Sequence, residues 1–243
     1  MTSRPHKESR KDQAHEFVRG LRRYLEQMEE EGTEYLLISR GKDKDPAPAV
    51  PRPLAARRPV VAEIDADIRK CRLCRLFQTR KNAVPGEGGM KKKAMFIGEG
   101  PGEQEDLSGR PFVGRAGKLL DKMLAAIGLS RADVFITNIV KCRPPLNRDP
   151  KPDEVVACWP YLERQIKLLQ PRVIIALGSP ASKTLLDTDQ GISHLRGKIH
   201  DYEGTPLLAT FHPAYLLRAY TVENRQKAWE DMKMVRELLS EKG

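Results

Sequence analysis

KAMFIGEGPGEQED, residues 93–106, decides the fold. Its first half, Ala94 to Ile97, is apolar at every position instead of alternating, as in a strand covered on both faces, and parallel strands between helical layers have this character. Its second half breaks into a glycine-rich, acidic loop. From Phe96 to Gly114 the chain carries five glycines, two prolines and four carboxylates. Working outward, the same kind of apolar run recurs in DVFITN (133–138), PRVIIALG (171–178) and LLATF (207–211). Helical spacing is expected around 62–70, 115–127, 152–169 (opened by Pro152 and Asp153), 180–186 and 222–240. The βαβ alternation predicts a three-layer α/β/α sandwich around a central, mainly parallel sheet of about four strands. Ligands of such sheets lie beyond the carboxyl ends of the strands. The segments GEGPGEQED, NIVKC, GSPAS and HPAYLLR should therefore converge.

The 243-residue chain is 40% hydrophobic, enough for one main core with a small appendage. Residues 15–38 space Phe17, Leu21, Leu25 and Met28 as one amphipathic helix, and residues 41–59 hold five prolines among many charges, as an extended tether does. The expected organisation is an N-terminal arm over 1–60 and a main domain over 61–243. The arm has 13 basic and 10 acidic residues, so most of the net charge of +10 belongs to the main domain. Such a surface favours polyanions, nucleic acid first among them. No run approaches the ~18 apolar residues of a membrane span, and the N-terminal stretch lacks the apolar core of a secretory signal. A cytoplasmic, nucleoid-associated protein with no membrane partner is expected.

The glycine-rich loop does not suit phosphate. A Walker loop requires Lys followed by Ser or Thr, whereas GEGPGEQED offers carboxylates; Pro101 and Pro111 disturb the immediate helix of a dinucleotide fingerprint. A neutral ligand with polar edges fits better. Phe112 offers a ring for stacking, and Asn138, at a strand end, offers an acceptor beside two donors, the complement of a base edge with N–H next to C=O. His212 follows the last strand and is placed to donate to a developing anion. Leu216, Leu217 and Arg218 join an apolar wedge to a phosphate-seeking cation. Cys71, Cys74, Cys142 and Cys158 form one close pair and two separated positions, unsuited to disulfides in a reducing compartment. Four thiolates hold either zinc or an iron–sulfur cluster, and one close pair rather than two tilts the reading to a 4Fe-4S cluster. Lys70, Arg72, Arg75, Lys141, Arg143 and Arg148 surround them and are read as a face toward the DNA backbone.

Taken in order, GEGPGEQED, GRPFVGRAGKLLD, TNIVKCRPP, HPAYLLR and the four cysteines resemble the family 4 uracil-DNA glycosylases, the iron–sulfur branch of that superfamily, over about residues 62–240. The resemblance implies a repair enzyme that hydrolyses the N-glycosidic bond of uracil in single- or double-stranded DNA. By motif, Gly98, Glu99, Gly100, Glu105, Phe112, Asn138 and His212 would contact substrate, with Glu99 and His212 catalytic. The four cysteines would hold the cluster. Family 1 enzymes have an aspartate where this chain has Gly100, so water activation falls to Glu99, with Glu105 or Asp106 as alternatives. CRPPLNRDPKPDE contains no histidine, unlike relatives that bond covalently to the abasic sugar, so ordinary turnover is expected. A monomer is expected, with the arm docking a replication or repair protein. A DNA-binding or redox-sensing module with a vestigial pocket, and a zinc-stabilised nucleotide hydrolase, are the competing readings; the complete set Glu99, Phe112, Asn138 and His212 argues for catalysis.

Overall fold

The computed structural model describes residues 54–89 and 94–240. The predicted helix at 15–38 and most of the proline tether lie outside the described residues. Helix α1 (Leu54–Lys70) already includes the tether's end, Pro59 among it. Then follow β1 (Glu87–Gly88), β2 (Ala94–Gly98), α2 (Glu103–Ser108), α3 (Arg115–Ala126), β3 (Val134–Asn138), α4 (Pro152–Leu169), β4 (Val173–Leu177), α5 (Ser179–Leu186), α6 (Ile192–Leu195), β5 (Ile199–Tyr202), β6 (Thr205–Thr210), α7 (Pro213–Arg218) and α8 (Val222–Ser240).

One sheet has the order β1-β3-β2-β4-β6-β5. Its four central strands are parallel, as the apolar runs predict, and two short antiparallel strands close the edges, making six strands. β1 and β5 escape sequence reading because neither is an apolar run: β5 is IHDY and mostly exposed. Helix α2 also begins inside the acidic loop. Glu103, Glu105 and Asp106 suit the positive end of a helix, and Gly109 closes it in the left-handed region.

Successive residues of the central strands point to opposite faces. Met95, Ile97, Ile174 and Ala176 pack toward Ile64 and Ile68 of α1 and Leu162 and Ile166 of α4. Ala94, Phe96, Val173 and Ile175 pack toward Leu120 and Leu124 of α3 and Met232 and Val235 of α8. These two buried layers explain why the central strands are mostly apolar, with the buried Thr137 and Thr210 hydrogen-bonded. β2 sits between β3 and β4, so the chain winds first one way from it and then the other. The crevice expected at such a switch point opens at Gly98.

Candidate active site

The four predicted segments do converge. Glu99 and Gly100 after β2, Asn138 at the end of β3, Gly178 and Ser179 after β4, and His212 after β6 line one cleft of about 1040 Å³. The carbonyl of Gly98 accepts from the Ile139 N–H at 2.8 Å and that of Glu99 from the Val140 N–H at 3.1 Å, stitching the first two segments together.

The floor is Gly98. A Cβ there would lie 2.4 Å from Asn138 Oδ1 and 2.6 Å from the Phe112 ring, so only a hydrogen side chain admits both neighbours. Asn138 is 1% exposed, and its Oδ1 is a buried acceptor with no hydrogen-bond partner. Buried polar atoms are rarely orphaned, and here the missing donor belongs to whatever enters the cleft. The Phe112 ring lies 5.5 Å from the His212 ring, tilted 33°.

Phe112 adopts φ +52°, unusual for a residue with a side chain. Two anchors hold it. Arg131 donates to the carbonyls of Phe112 (3.1 Å) and Pro111 (2.5 Å), and is itself paired with Glu87 (2.7 Å) and Asp121 (3.0 Å). Glu105 accepts from the N–H groups of Val113 and Gly114, both at 2.8 Å, and from Gly102 at 3.1 Å. Glu105 is thus a brace for the stacking loop, its oxygens taken up by backbone donors. Asp106 accepts from the Lys81 and Asn82 N–H groups and is buried. Both carboxylates are thus engaged by backbone donors, which Glu99 is not shown to be.

Glu99 is half-buried, and its pKa is raised from 4.5 to about 7, first by burial and then by the charge of Asp149 and a hydrogen bond to it; Arg218 opposes. Asp149 was not anticipated from sequence, because it stands in a proline-rich turn fifty residues from Glu99. His212 is pushed down to about 4 by burial and by Arg218. Its Nδ1 accepts from the Ala214 N–H at 3.1 Å, so the neutral ring carries its proton on Nε2. Gly178, at φ +89°, lets the third segment pass close to this histidine, where a Cβ would lie 2.8 Å from His212 Cβ.

Two sequence expectations change. Leu216 is 4% exposed and packs with Phe211 and Ala228, because it is the inward residue of the α7 turn; it is unavailable as a wedge, whereas Leu217 is 42% exposed. Lys141 does not face solvent. It is 1% exposed and donates to Thr137 Oγ1 (2.6 Å), the Asn138 carbonyl (2.8 Å) and Gln165 Oε1 (2.8 Å), clamping the end of β3. Burial lowers its pKa to about 8, with Cys158, Asp65 and Cys142 pulling the other way.

Cys71, Cys74, Cys142 and Cys158 line a second, small pocket with Arg80, Lys141 and Tyr161. Among the described residues no three His, Cys, Asp or Glu side chains come close enough to hold a single ion. The sulfurs nonetheless meet backbone and guanidinium donors: the Lys141 N–H reaches Cys158 Sγ at 3.2 Å, and Arg80 Nη1 reaches Cys142 Sγ at 2.9 Å. Burial raises the Cys74 and Cys142 thiols and pushes Cys158 up to about 12.

With this geometry in place, sequence comparison identifies the class. The profile of the Uracil DNA glycosylase superfamily matches residues 85–233, and the chain belongs to that superfamily. It is 50% identical over 185 residues to the type-4 uracil-DNA glycosylase of Saccharolobus solfataricus, covering 72% of this chain and 85% of that protein. It is 45% identical over 188 residues to that of Archaeoglobus fulgidus (74% and 94%), and 42% over 189 to that of Thermotoga maritima (77% and 98%). Within the superfamily, this protein is a member of the type-4 uracil-DNA glycosylases.

Proposed function

We propose that this protein removes uracil from DNA in base excision repair, hydrolysing the N-glycosidic bond of a flipped-out deoxyuridine and leaving an abasic site. The observation that carries the reading is the orphaned Asn138 Oδ1, buried in the cleft that the Phe112 ring also lines. Uracil presents an N3–H to that oxygen and a carbonyl to the same amide's N–H, while thymine adds a methyl group to the same ring.

The chemistry follows from the charges that develop. As the bond from C1′ to N1 breaks, both electrons leave with the base, and the negative charge spreads to its O2; the sugar becomes oxocarbenium-like. Neutral His212 donates from Nε2 to the departing uracil anion. Glu99 in its ionised form stabilises the cationic sugar and accepts a proton from the water that attacks C1′. This assignment explains an acidic loop in a basic protein: its charge faces a cation, and the phosphates meet other surfaces.

The four cysteines suit a 4Fe-4S cluster. We assign the pocket they share to such a cluster on the cysteine spacing, and the N–H donors that reach Cys158 and Cys142 would support the charge of bound thiolates. Bound there, it would supply positive charge to hold the thiolates and would join the turn after α1, the loop after β3 and α4, segments distant in sequence. Residues 1–60 are proposed as an arm for a replication or repair protein, appended to a 61–243 catalytic domain. The enzyme acts as a nucleoid-associated monomer with ordinary turnover.

The test is strand cleavage by alkali after incubating an end-labelled oligonucleotide bearing one uracil, with a thymine substrate and Asn138→Ala alongside. Cleavage at uracil by the unaltered protein is expected. Its absence with intact, DNA-binding protein would overturn the reading.

A further inference from the structure

Leu146 has no place in the site as described, yet it is the most exposed large hydrophobic residue among the described ones, at 96%. It stands at φ +57° in the turn Pro145–Asn147, and Asn147 follows at +54°. Side chains avoid this region, so two such residues in a row persist only where the surroundings enforce them.

The enforcement is visible. The Asn147 N–H donates to the Pro144 carbonyl at 3.0 Å and the Arg148 N–H to the Pro145 carbonyl at 3.2 Å. Arg143 Nε donates to Asn147 Oδ1 at 2.8 Å. Arg148 binds the buried Glu154 carboxylate with both terminal nitrogens, at 2.8 and 2.6 Å, which ties the turn to the start of α4. Two adjacent prolines remove further backbone freedom. The turn is therefore a stiff mount that holds one leucine in water.

Its position says what the leucine meets. Pro144, Asn147, Arg148 and Asp149 line the cleft that takes the flipped base, whereas Leu146 does not, so its side chain stands on the rim outside. Arg218, another lining residue, marks a second stretch of rim, with Leu217 exposed beside it. Asp149 and Arg218 both act on Glu99, so the two stretches of rim border the same reacting centre.

We propose that Leu146 is a second duplex wedge. Resting on the glycosylase reading, it enters the base stack beside the nucleotide that has swung out, while Leu217 acts from the other loop. Apolar side chains inserted between base steps replace lost stacking, and the arginine beside this one, Arg143, suits the flanking phosphates. A rigid mount matters because a mobile leucine would lose rotamer and backbone freedom on insertion. Single-stranded substrate needs no such prop, which separates this role from pocket chemistry.

The experiment measures single-turnover uracil release by the full-length protein, the Leu146→Ala variant and the Leu146→Met variant. Each is assayed on a single strand and on the same strand paired with guanine opposite uracil, with 2-aminopurine beside the uracil to report unstacking. Leu146→Ala should lose about 10-fold on the duplex, the equivalent of ~1.4 kcal/mol, with a smaller fluorescence rise, and stay within about 2-fold on the single strand, as expected for a truncated exposed residue. Leu146→Met should retain most duplex activity. Unchanged duplex release by Leu146→Ala, or an equal loss on both substrates, overturns the wedge. Inactivity of the unaltered protein on both substrates sinks instead the glycosylase reading beneath it.

Discussion

Replacing Glu99 by Gln should make the protein more stable while disabling it, and the gain should depend on pH. Burial and Asp149 raise the Glu99 pKa from 4.5 to about 7. A carboxyl whose pKa is higher folded than unfolded favours folding most below the unfolded value, and this contribution is lost as pH rises through the folded value. Above pH 7 the native protein holds a carboxylate that would be better solvated in the unfolded chain. At 1.36 kcal/mol per pH unit, the handicap approaches ~3 kcal/mol at pH 8 and stays under about 1 kcal/mol at pH 5. Gln cannot ionise and keeps a donor for Asp149, so urea unfolding of the variant should show about that advantage at pH 8 and little at pH 5. Uracil release should fall by roughly 10²-fold or more if Glu99 handles the water proton. An equal stability difference at both pH values would refute the argument that a desolvated charge is held in the site. Near-normal uracil release would refute the role of Glu99.

The same charge sets a pH profile: single-turnover uracil release should climb with pH through about 7 as Glu99 ionises, and Asp149→Ala, by removing the neighbouring negative charge, should move that rise to lower pH. His212, pushed down to about 4, stays neutral over this range and should add no limb above pH 5; a limb near 6.5 that disappears in His212→Ala would contradict the buried neutral ring. Gly98→Ala forces a Cβ against Asn138 Oδ1 and the Phe112 ring, so release should nearly vanish and stability should drop by about 1–3 kcal/mol, read by urea unfolding. Cys158→Ser should lower bound iron and sulfide per chain and bring unfolding to lower urea concentration; full iron content in that variant would remove Cys158 from the ligand set.

Much of this was legible before any coordinates. Four largely apolar runs point to strands covered on both faces, because a polar side chain there must find a buried partner, as Thr137 and Thr210 do. From parallel strands and alternating helices, the convergence of the loops after Ile97, Thr137, Leu177 and Phe211 follows as topology, and it brought Glu99, Asn138 and His212 to one cleft. Chemical type did the rest: carboxylates exclude phosphate, and four cysteines in a reduced chain ask for a shared ligand. The edge strands were not legible, since a two-residue ladder and a half-exposed IHDY carry no periodic signal.

What the sequence by itself determined, then, was the order of elements, the loop cluster and the residue types available to it. Tertiary structure alone decided which like residues do unlike work. Glu99 and Glu105 lie six residues apart, yet one is desolvated beside Asp149 and the other accepts from three backbone N–H groups. Leu216 and Leu217 are neighbours, and the direction of the α7 turn buries the first and exposes the second. Lys141 reads as one more surface cation until its three acceptors are seen closing around it in the core. Burial, hydrogen-bond partners and pKa are properties of surroundings assembled from distant segments, and no local stretch of sequence contains them.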